Sequence, residues 1–235
     1  MTLQILYQDA QLIAINKPNG LLVHRTKIAE EQNEFALQIL RNQLGQKVFP
    51  IHRLDRKTSG VLLFGLNPEI VKLMQAQFEN QTVTKKYLAI VRGWFPEKVE
   101  VDYALTNDRG KTQDAITHFS LIEKTELNIP FGKHQTSRYS LIEAYPKTGR
   151  QHQIRKHLNH LRHPIIGDRP HGCNKQNRLF KEKWQMMTMF LHAEAFTFID
   201  PFSKQKIKIV AEIPDVFKRM VSILEFSKVH TGKIG

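Results

Sequence analysis

Residues 52–64 read His-Arg-Leu-Asp-Arg-Lys-Thr-Ser-Gly-Val-Leu-Leu-Phe, and this stretch joins a charged loop to an apolar run. In the loop, the carboxylate of Asp55 lies among three cations, and small residues follow before the apolar run. Nearby opposite charges favour an ionised carboxylate, so Asp55 is expected to be deprotonated at neutral pH and able to act as a nucleophile or a base. The alternative is an ordinary surface turn with a solvated Asp.

Apolar patterns on both sides of this stretch predict the secondary structure. Runs that favour strands cover residues 5–7, 12–15, 61–66, 87–91, 116–122, 139–145, 196–199 and 207–210. Apolar stripes at helical spacing cover residues 37–44, 70–78, 154–161 and 217–224, with Gly45 as a stop, Asn67 and Pro68 as a start, and Thr148 as a cap. Because strands outnumber helices and often follow one another directly, the sequence predicts an α+β fold with a largely antiparallel sheet and flanking helices.

The composition points to a folded, strongly basic protein. A chain of 235 residues can form one large domain or two closely joined halves, and a hydrophobic fraction of 41% argues against disorder. The formal net charge of +13 makes a polyanion the natural partner. An anionic membrane surface is the competing explanation, but the basic residues are placed mostly in turns between apolar strands and not on one amphipathic helix. Nucleic acid is therefore favoured as the partner.

The chain shows none of the sequence features of an exported or membrane protein. A single cysteine, Cys173, cannot form an internal disulfide, which fits a reducing compartment. The amino terminus lacks the pattern of a signal peptide, and no window approaches the ~20 apolar residues of a membrane span. We expect a cytoplasmic monomer with no membrane partner.

The loop at residues 52–60 resembles the signature His-Arg-Leu-Asp-x-x-Thr-Ser-Gly of the RluA-type pseudouridine synthases. Residues 85–93 resemble the second motif of that family, Lys-x-Tyr-x-Ala-x-Val-x-Gly. Residues 148–158 and 163–168 resemble its third motif, and residues 191–201 its closing hairpin. Four motifs in the expected order cover most of the chain, which makes the resemblance specific.

The resemblance implies a fold and a reaction. The family has a mixed, largely antiparallel sheet with a catalytic cleft across its middle, and the whole chain, residues 1–235, is expected to be one catalytic domain without an accessory amino-terminal RNA-binding domain. The reaction breaks the bond between uracil N1 and ribose C1′, turns the base and rejoins it through C5. It requires no metal, redox carrier or nucleotide cofactor.

The same resemblance implies the catalytic residues. Asp55 is the catalytic carboxylate, but the sequence leaves open whether it attacks the ribose, attacks the base or removes the C2′ proton. Tyr87 matches the tyrosine that stacks on the target base and takes part in proton transfer. Arg155 matches the arginine that pairs with the catalytic carboxylate.

Four further residues are expected to bind the substrate. Arg53 matches the arginine that enters the space left by the flipped uridine. Ile154 matches the apolar wall of the uracil pocket. Arg150 and His52, which belong to the third and first motifs, complete the predicted contacts.

Two other kinds of site are considered and set aside. Four histidines, His152, His157, His160 and His163, suggest a metal, but their helical angles spread and no Cys or Glu joins them, so no metal is expected. Gly60 and Gly65 have the spacing of a phosphate-binding loop, but Leu66 stands where its lysine belongs.

The expected substrate is tRNA, modified at uridine 65, because residues 16–25, 48–49, 90–94 and 161–168 most resemble the branch of the family that acts there. A ribosomal RNA synthase of the same family and a non-catalytic RNA-binding protein with the same fold are the alternatives. A magnesium-dependent nuclease would need clustered carboxylates, whereas the candidates are scattered along the sequence, at Asp102, Asp108, Asp114 and Asp168.

Overall fold

The computed structural model describes residues 1–24 and 34–228. Its elements follow one another in an order dominated by strands: β1 (Gln4–Gln8), β2 (Leu12–Lys17), α1 (Ala36–Leu44), β3 (Phe49–Pro50), β4 (Ser59–Gly65), α2 (Pro68–Glu79), β5 (Thr84–Arg92), β6 (Lys98–Asp102), β7 (Leu105–Thr106), β8 (Thr112–Gln113), β9 (Ile116–Leu127), β10 (Ser137–Pro146), α3 (Gln153–His160), α4 (Asn174–Trp184), β11 (Leu191–Ile199), β12 (Lys206–Val210) and α5 (Asp215–Ile223). The α+β prediction is confirmed.

The contacts divide the chain into two compact units. The first unit comprises residues 1–85 and 193–212, and the second comprises residues 86–192 and 213–235. The prediction of one catalytic domain over residues 1–235 stays a prediction. Arg25, the last residue of the stretch 16–25 used for the tRNA resemblance, lies outside the described residues. In the part of the chain that the structure describes, no helix is long and apolar enough to cross a membrane.

The first unit is built on antiparallel strand pairs, with β2 between β1 and β4, β3 also paired with β4, and β12 paired with β11. Helix α2 begins as its sequence predicts, because the Asn67 Oδ1 accepts a hydrogen bond from the N–H of Ile70 at 3.0 Å and Pro68 follows the cap. Ile70 and Met74 pack into the core of this unit. Leu73, predicted for the same stripe, is 38% exposed, so that part of the stripe is wrong.

The second unit has the antiparallel strand order β5-β10-β9-β6 with a core on each face of β5. Leu88 and Ile90 pack into a core that includes residues of α4 and α5, whereas Ala89 and Val91 pack into a core that includes residues of α3. This alternation follows from the period of two along a strand. A strand covered on both faces reads as a continuous apolar run, as residues 87–91 do.

Two helices of the second unit differ from their predictions. Thr148 is not the cap of α3, which begins five residues later, after His152 in the left-handed conformation (φ 56°). Thr148 instead accepts a hydrogen bond from the N–H of Ile116 at 3.1 Å and donates to Gln153 Oε1 at 2.7 Å. Helix α4 was not predicted, because only Gln176 and Phe180 of its residues are buried, and this pattern gives no apolar stripe.

Candidate active site

The loop that carries Asp55 lies in the first unit and joins β3 to β4. Asp55 is half-buried, and its backbone carbonyl accepts a hydrogen bond from the N–H of Thr58 at 3.0 Å, which closes a turn. Gly60, at the start of β4, has a φ of 110°, and a Cβ at this position would lie 2.1 Å from the carbonyl oxygen of Ala193. A side chain would not fit, so glycine allows the end of the loop to approach the backbone of β11 closely.

A buried lysine ties this loop to a neighbouring turn. Lys17 ends β2 with no exposed surface, and its Nζ donates to the carbonyls of Pro18 at 2.9 Å, Leu21 at 2.8 Å and Arg56 at 3.1 Å. The carbonyl of Arg56 also accepts from the N–H of Gly20 at 2.9 Å. Through one ammonium group, the turn after β2 and the Asp55 loop therefore hold each other in place.

The electrostatics of Lys17 are unusual for a lysine. Burial lowers its pKa from 10.5 to about 7, and the negative charge of Asp55 acts in the opposite direction. Three carbonyl acceptors match the three N–H donors of the protonated side chain. Lys17 was not predicted as a site residue. Its signal was a lysine at the end of an apolar strand, directly before the turn Pro-Asn-Gly.

His52 supports the beginning of the loop. Its ring stacks on Phe196 with centroids 5.2 Å apart, lies 5.8 Å from Phe78, and accepts a hydrogen bond at Nε2 from the N–H of Leu63 at 3.1 Å. Burial, together with the nearby cation Lys85, lowers the pKa of His52 to about 4, so its ring is neutral at pH 7. That His52 binds the substrate stays a prediction. Its observed contacts are with the protein.

In the second unit, Arg155 forms a buried pair with an aspartate. Its Nε donates to Asp168 Oδ2 at 2.7 Å and its Nη2 donates to Oδ1 at 2.8 Å, and the two side chains are 6% and 1% exposed. This bidentate geometry fixes the plane of the guanidinium group. Asp168 was predicted as part of the third motif and as one of several scattered carboxylates, without a role of its own. The predicted pairing of Arg155 with Asp55 stays a prediction, because these residues belong to different units.

The turn that carries Asp168 is fixed by helix α4. The side-chain Nδ2 of Asn177 donates to the carbonyl of Asp168 at 2.7 Å, and its Oδ1 accepts from the N–H of Gly167 at 2.9 Å. Gln176, next to it, donates to the hydroxyl of the buried Tyr139. The position of Asp168, and through it that of Arg155, thus depends on a helix that was not predicted from the sequence.

Tyr87 and Ile154 are brought to the same core of the second unit. Ile154 is 7% exposed on α3, and Tyr87 packs against this core from β5, where it pairs with Ala144. The structure therefore places a predicted base-stacking residue and the predicted pocket wall in one cluster. Arg53, in the first unit, has an exposed side chain.

Arg150 anchors the segment at residues 103–115 to the beginning of α3. Its Nε donates to the carbonyl of Asp114 at 2.9 Å. Gln151 donates to Asp108 Oδ2 at 2.9 Å, and the Nζ of Lys156 donates to the carbonyl of Thr106 at 3.1 Å. The polar stretch at residues 106–114 predicts a surface loop, but Thr106 and residues 112–113 belong to the β7–β8 hairpin.

Two histidines near this site contact each other. His152 Nδ1 lies 2.9 Å from His171 Nε2, and the backbone N–H of His171 donates to Asp168 Oδ1 at 3.3 Å. His157 instead contacts Thr117 Oγ1 and the carbonyl of Tyr103, each at 3.0 Å. Burial lowers the pKa of His157. The His152–His171 pair and His157 therefore do not share a partner among these contacts.

Comparison with known proteins agrees with the motifs. The family described as RNA pseudouridylate synthase matches residues 11–160. A tRNA pseudouridine synthase C of Vibrio vulnificus is 43% identical over 235 residues, which cover 95% of this chain and 96% of that protein. A tRNA pseudouridine synthase C of Haemophilus ducreyi is 49% identical over 221 residues, which cover 90% of this chain and 91% of that protein.

Two solved structures have a similar fold. Human RNA pseudouridylate synthase domain containing 4 matches with a TM-score of 0.74 and 24% identity, over 94% of this chain and 93% of that chain. Human RNA pseudouridylate synthase domain containing 1 matches with a TM-score of 0.70 and 21% identity, over 96% of each chain. At these identities the likeness concerns the fold alone.

Proposed function

Because the chain belongs to the RNA pseudouridylate synthase family, we propose that it converts a uridine of tRNA to pseudouridine and that this uridine is at position 65. The observation that carries the proposal is the similarity to proteins named tRNA pseudouridine synthase C over nearly the whole chain, at 43% and 49% identity. The complete Asp55 loop, with its buried lysine, supports a catalytic protein over a silent RNA-binding one.

The proposed reaction is an isomerisation that balances without a second substrate. The bond between uracil N1 and ribose C1′ breaks, and a new bond forms between uracil C5 and C1′. The proton on C5 leaves and N1 gains a proton, so the composition of the RNA is unchanged. No electron or group carrier is needed, and we propose that the enzyme uses no cofactor or metal.

We propose that Asp55 is the catalytic carboxylate of this reaction. Asp55 is half-buried in a loop that Lys17 ties to the neighbouring turn, and its negative charge acts on that lysine. Attack on the ribose, attack on the base and removal of the C2′ proton are the three forms that its role can take. Arg155, with its plane fixed by Asp168, is proposed to orient this carboxylate.

The other predicted residues are proposed to hold the RNA. Tyr87 and Ile154 would bind the uracil, Arg53 would fill the space left by the flipped nucleotide, and Arg150 would contact the RNA near the beginning of α3. His52 is proposed to contribute through the shape of the Asp55 loop. We also propose that the protein acts as a cytoplasmic monomer with tRNA as its partner.

The test is to incubate the purified protein with an intact tRNA transcript and to map pseudouridine in the product. A uridine in a stem must be unpaired and flipped, so the enzyme must offset a few kcal/mol through contacts with the folded RNA. Folded tRNA should therefore be modified at position 65 far faster than a single strand that contains the same uridine. A preference for ribosomal RNA fragments would favour the alternative substrate, and RNA binding without product would favour the non-catalytic protein.

A further inference from the structure

Helix α4 presents a row of cations on the surface of the second unit. Its sequence, Asn-Lys-Gln-Asn-Arg-Leu-Phe-Lys-Glu-Lys-Trp, contains four cations and one carboxylate. Lys175, Arg178 and Lys181 are all exposed and are spaced three residues apart, so they follow one side of the helix. The basic residues were predicted to lie mostly in turns, and this helix is an exception.

This row of cations is rigidly connected to the candidate active site of the second unit. Asn177, on the same helix, makes two hydrogen bonds to the turn at Gly167 and Asp168. Asp168 in turn accepts hydrogen bonds from Nε and Nη2 of Arg155. An anion bound by the exposed side of α4 would therefore be held at a fixed position relative to the Arg155 guanidinium.

The chemistry of the helix favours a nucleic acid over a membrane. A basic helix that lies on a membrane also needs an exposed apolar face to insert among the lipids. Of the three large apolar residues of α4, Phe180 is only 1% exposed because it packs into the core of the second unit, and Leu179 and Trp184 are partly buried. The exposed residues of α4 include its cations but no large apolar residue, and such a surface is suited to phosphate groups.

We propose that Lys175, Arg178 and Lys181 form a surface, here called the α4 phosphate surface, that binds the backbone phosphates of the tRNA substrate. This inference rests on the proposed function and adds to it the element that holds the RNA outside the catalytic pocket. Phosphate contacts position an RNA without reading its sequence. The surface therefore governs affinity and placement of the tRNA, and leaves the chemical step unchanged.

The experiment compares wild type with the triple variant K175A/R178A/K181A for binding and modification of a tRNA transcript. Three lost phosphate contacts should weaken affinity on the order of 10² at 150 mM salt and reduce the slope of log affinity against log salt by about 3. The difference should vanish near 1 M salt. The KM for tRNA should rise, whereas kcat at saturating tRNA should stay that of wild type.

Two matched variants sharpen the comparison. The triple variant K72A/K206A/K208A removes the same charge from exposed positions of the first unit and should change the affinity much less. E182Q removes the carboxylate one turn after Arg178 and should strengthen binding. Equal losses in the two triple variants would show a general effect of net charge and would overturn the proposal.

Further outcomes separate this proposal from its premises. Unchanged affinity and salt slope in K175A/R178A/K181A, with wild type forming pseudouridine in tRNA, would refute the α4 phosphate surface alone. If wild type forms none in tRNA, the proposed function fails, whatever the variants do. A fall in kcat at unchanged affinity would assign α4 a purely structural role and also overturn the proposal.

Sedimentation with phosphatidylserine vesicles tests the membrane alternative, and the wild-type protein should not bind the vesicles. If it does bind them, and if the triple variant loses this binding but keeps its affinity for tRNA, the surface binds a membrane instead.

Discussion

Asp55 lies in a loop whose backbone is held by several hydrogen bonds. At the scale of a single residue, replacing its carboxylate is the sharpest test of the proposed reaction. D55N keeps the side-chain volume but loses the nucleophile or base, so turnover should fall on the order of 10³ or more while tRNA affinity stays close to wild type. Single-turnover assays with binding measurements would show this. D215N, which neutralises an exposed carboxylate on α5, serves as the control. Activity of D55N within tenfold of wild type would contradict its catalytic role.

Lys17 should make the stability of the protein depend on pH. Its pKa is 10.5 in its ordinary state and about 7 in the fold, so between these values the unfolded chain binds a proton that the folded chain has lost. The contribution of Lys17 to the free energy of unfolding therefore rises as the pH rises through this window. Urea unfolding at pH 7, 8 and 9 should show a shallower rise for K17M than for wild type.

Lys85 provides the comparison for that measurement. Burial lowers the pKa of Lys85 from 10.5 to about 8. Its contribution to the free energy of unfolding therefore also rises with pH, but over a narrower range than that of Lys17. K85M should flatten the rise less than K17M does. K17M should also be less stable than wild type at pH 7 by about 1–3 kcal/mol, because it leaves buried carbonyls without donors. Identical pH profiles for wild type and K17M would show that Lys17 does not titrate in this range.

At the scale of elements, the close approach of β4 to β11 depends on one glycine. G60A would place a Cβ 2.1 Å from the carbonyl oxygen of Ala193 at a φ of 110°. The strands would have to separate, so we expect destabilisation of about 3 kcal/mol or more and low soluble yield. G110A is the matched control, since its φ is 78° but nothing lies within 4 Å of the new Cβ. It should lose about 1 kcal/mol in urea unfolding. Similar losses for the two variants would contradict the steric argument.

Helix α4 should influence catalysis through Asn177. N177A removes two hydrogen bonds to the turn that carries Asp168, so Arg155 should lose its fixed orientation. We expect kcat to fall about tenfold with little change in KM, together with a loss of about 1–3 kcal/mol in stability. N174A, at an exposed position on the same helix, should leave kcat unchanged. A rise in KM alone for N177A would assign the residue to RNA binding.

Strands and helices with a clear apolar period could be predicted from the sequence, including β4, α2 and α5. Helix α4 could not, because the residues that bury it include the polar Gln176, whose partner is the Tyr139 hydroxyl of a distant strand. The cap of α3 was misplaced for a similar reason. Thr148 has the residue type of a cap, but it is hydrogen-bonded to Ile116 and Gln153.

The residues of the candidate site likewise include some that the sequence predicts and some that it does not. Asp55, Tyr87 and Arg155 were predicted from local motifs, which a single sequence displays. Lys17 and Asp168 also lie in stretches that carry the resemblance, but their roles depend on partners that are distant in the chain: Lys17 contacts Arg56, 39 residues later, and Asp168 contacts Arg155, 13 residues earlier. Residue types alone do not reveal such pairs.

At the scale of the whole molecule, the net charge of +13 governs the encounter with RNA. A cationic surface releases counterions when it binds phosphates, and about six contacts would weaken affinity on the order of 10³ between 50 and 200 mM salt. Titrations of tRNA binding across this range should give a steep linear plot of log affinity against log salt. An affinity that does not depend on salt would contradict electrostatic recognition.

The residue that precedes α4 offers a practical consequence. Cys173 is the one cysteine of the 235-residue sequence, and it is partly exposed, directly before the helix that we propose binds phosphates. A thiol-reactive fluorophore would therefore attach at a single position without any engineered mutation. Its emission would follow the arrival and departure of tRNA in real time, and stopped-flow traces would separate the association rate from the rate of the chemical step.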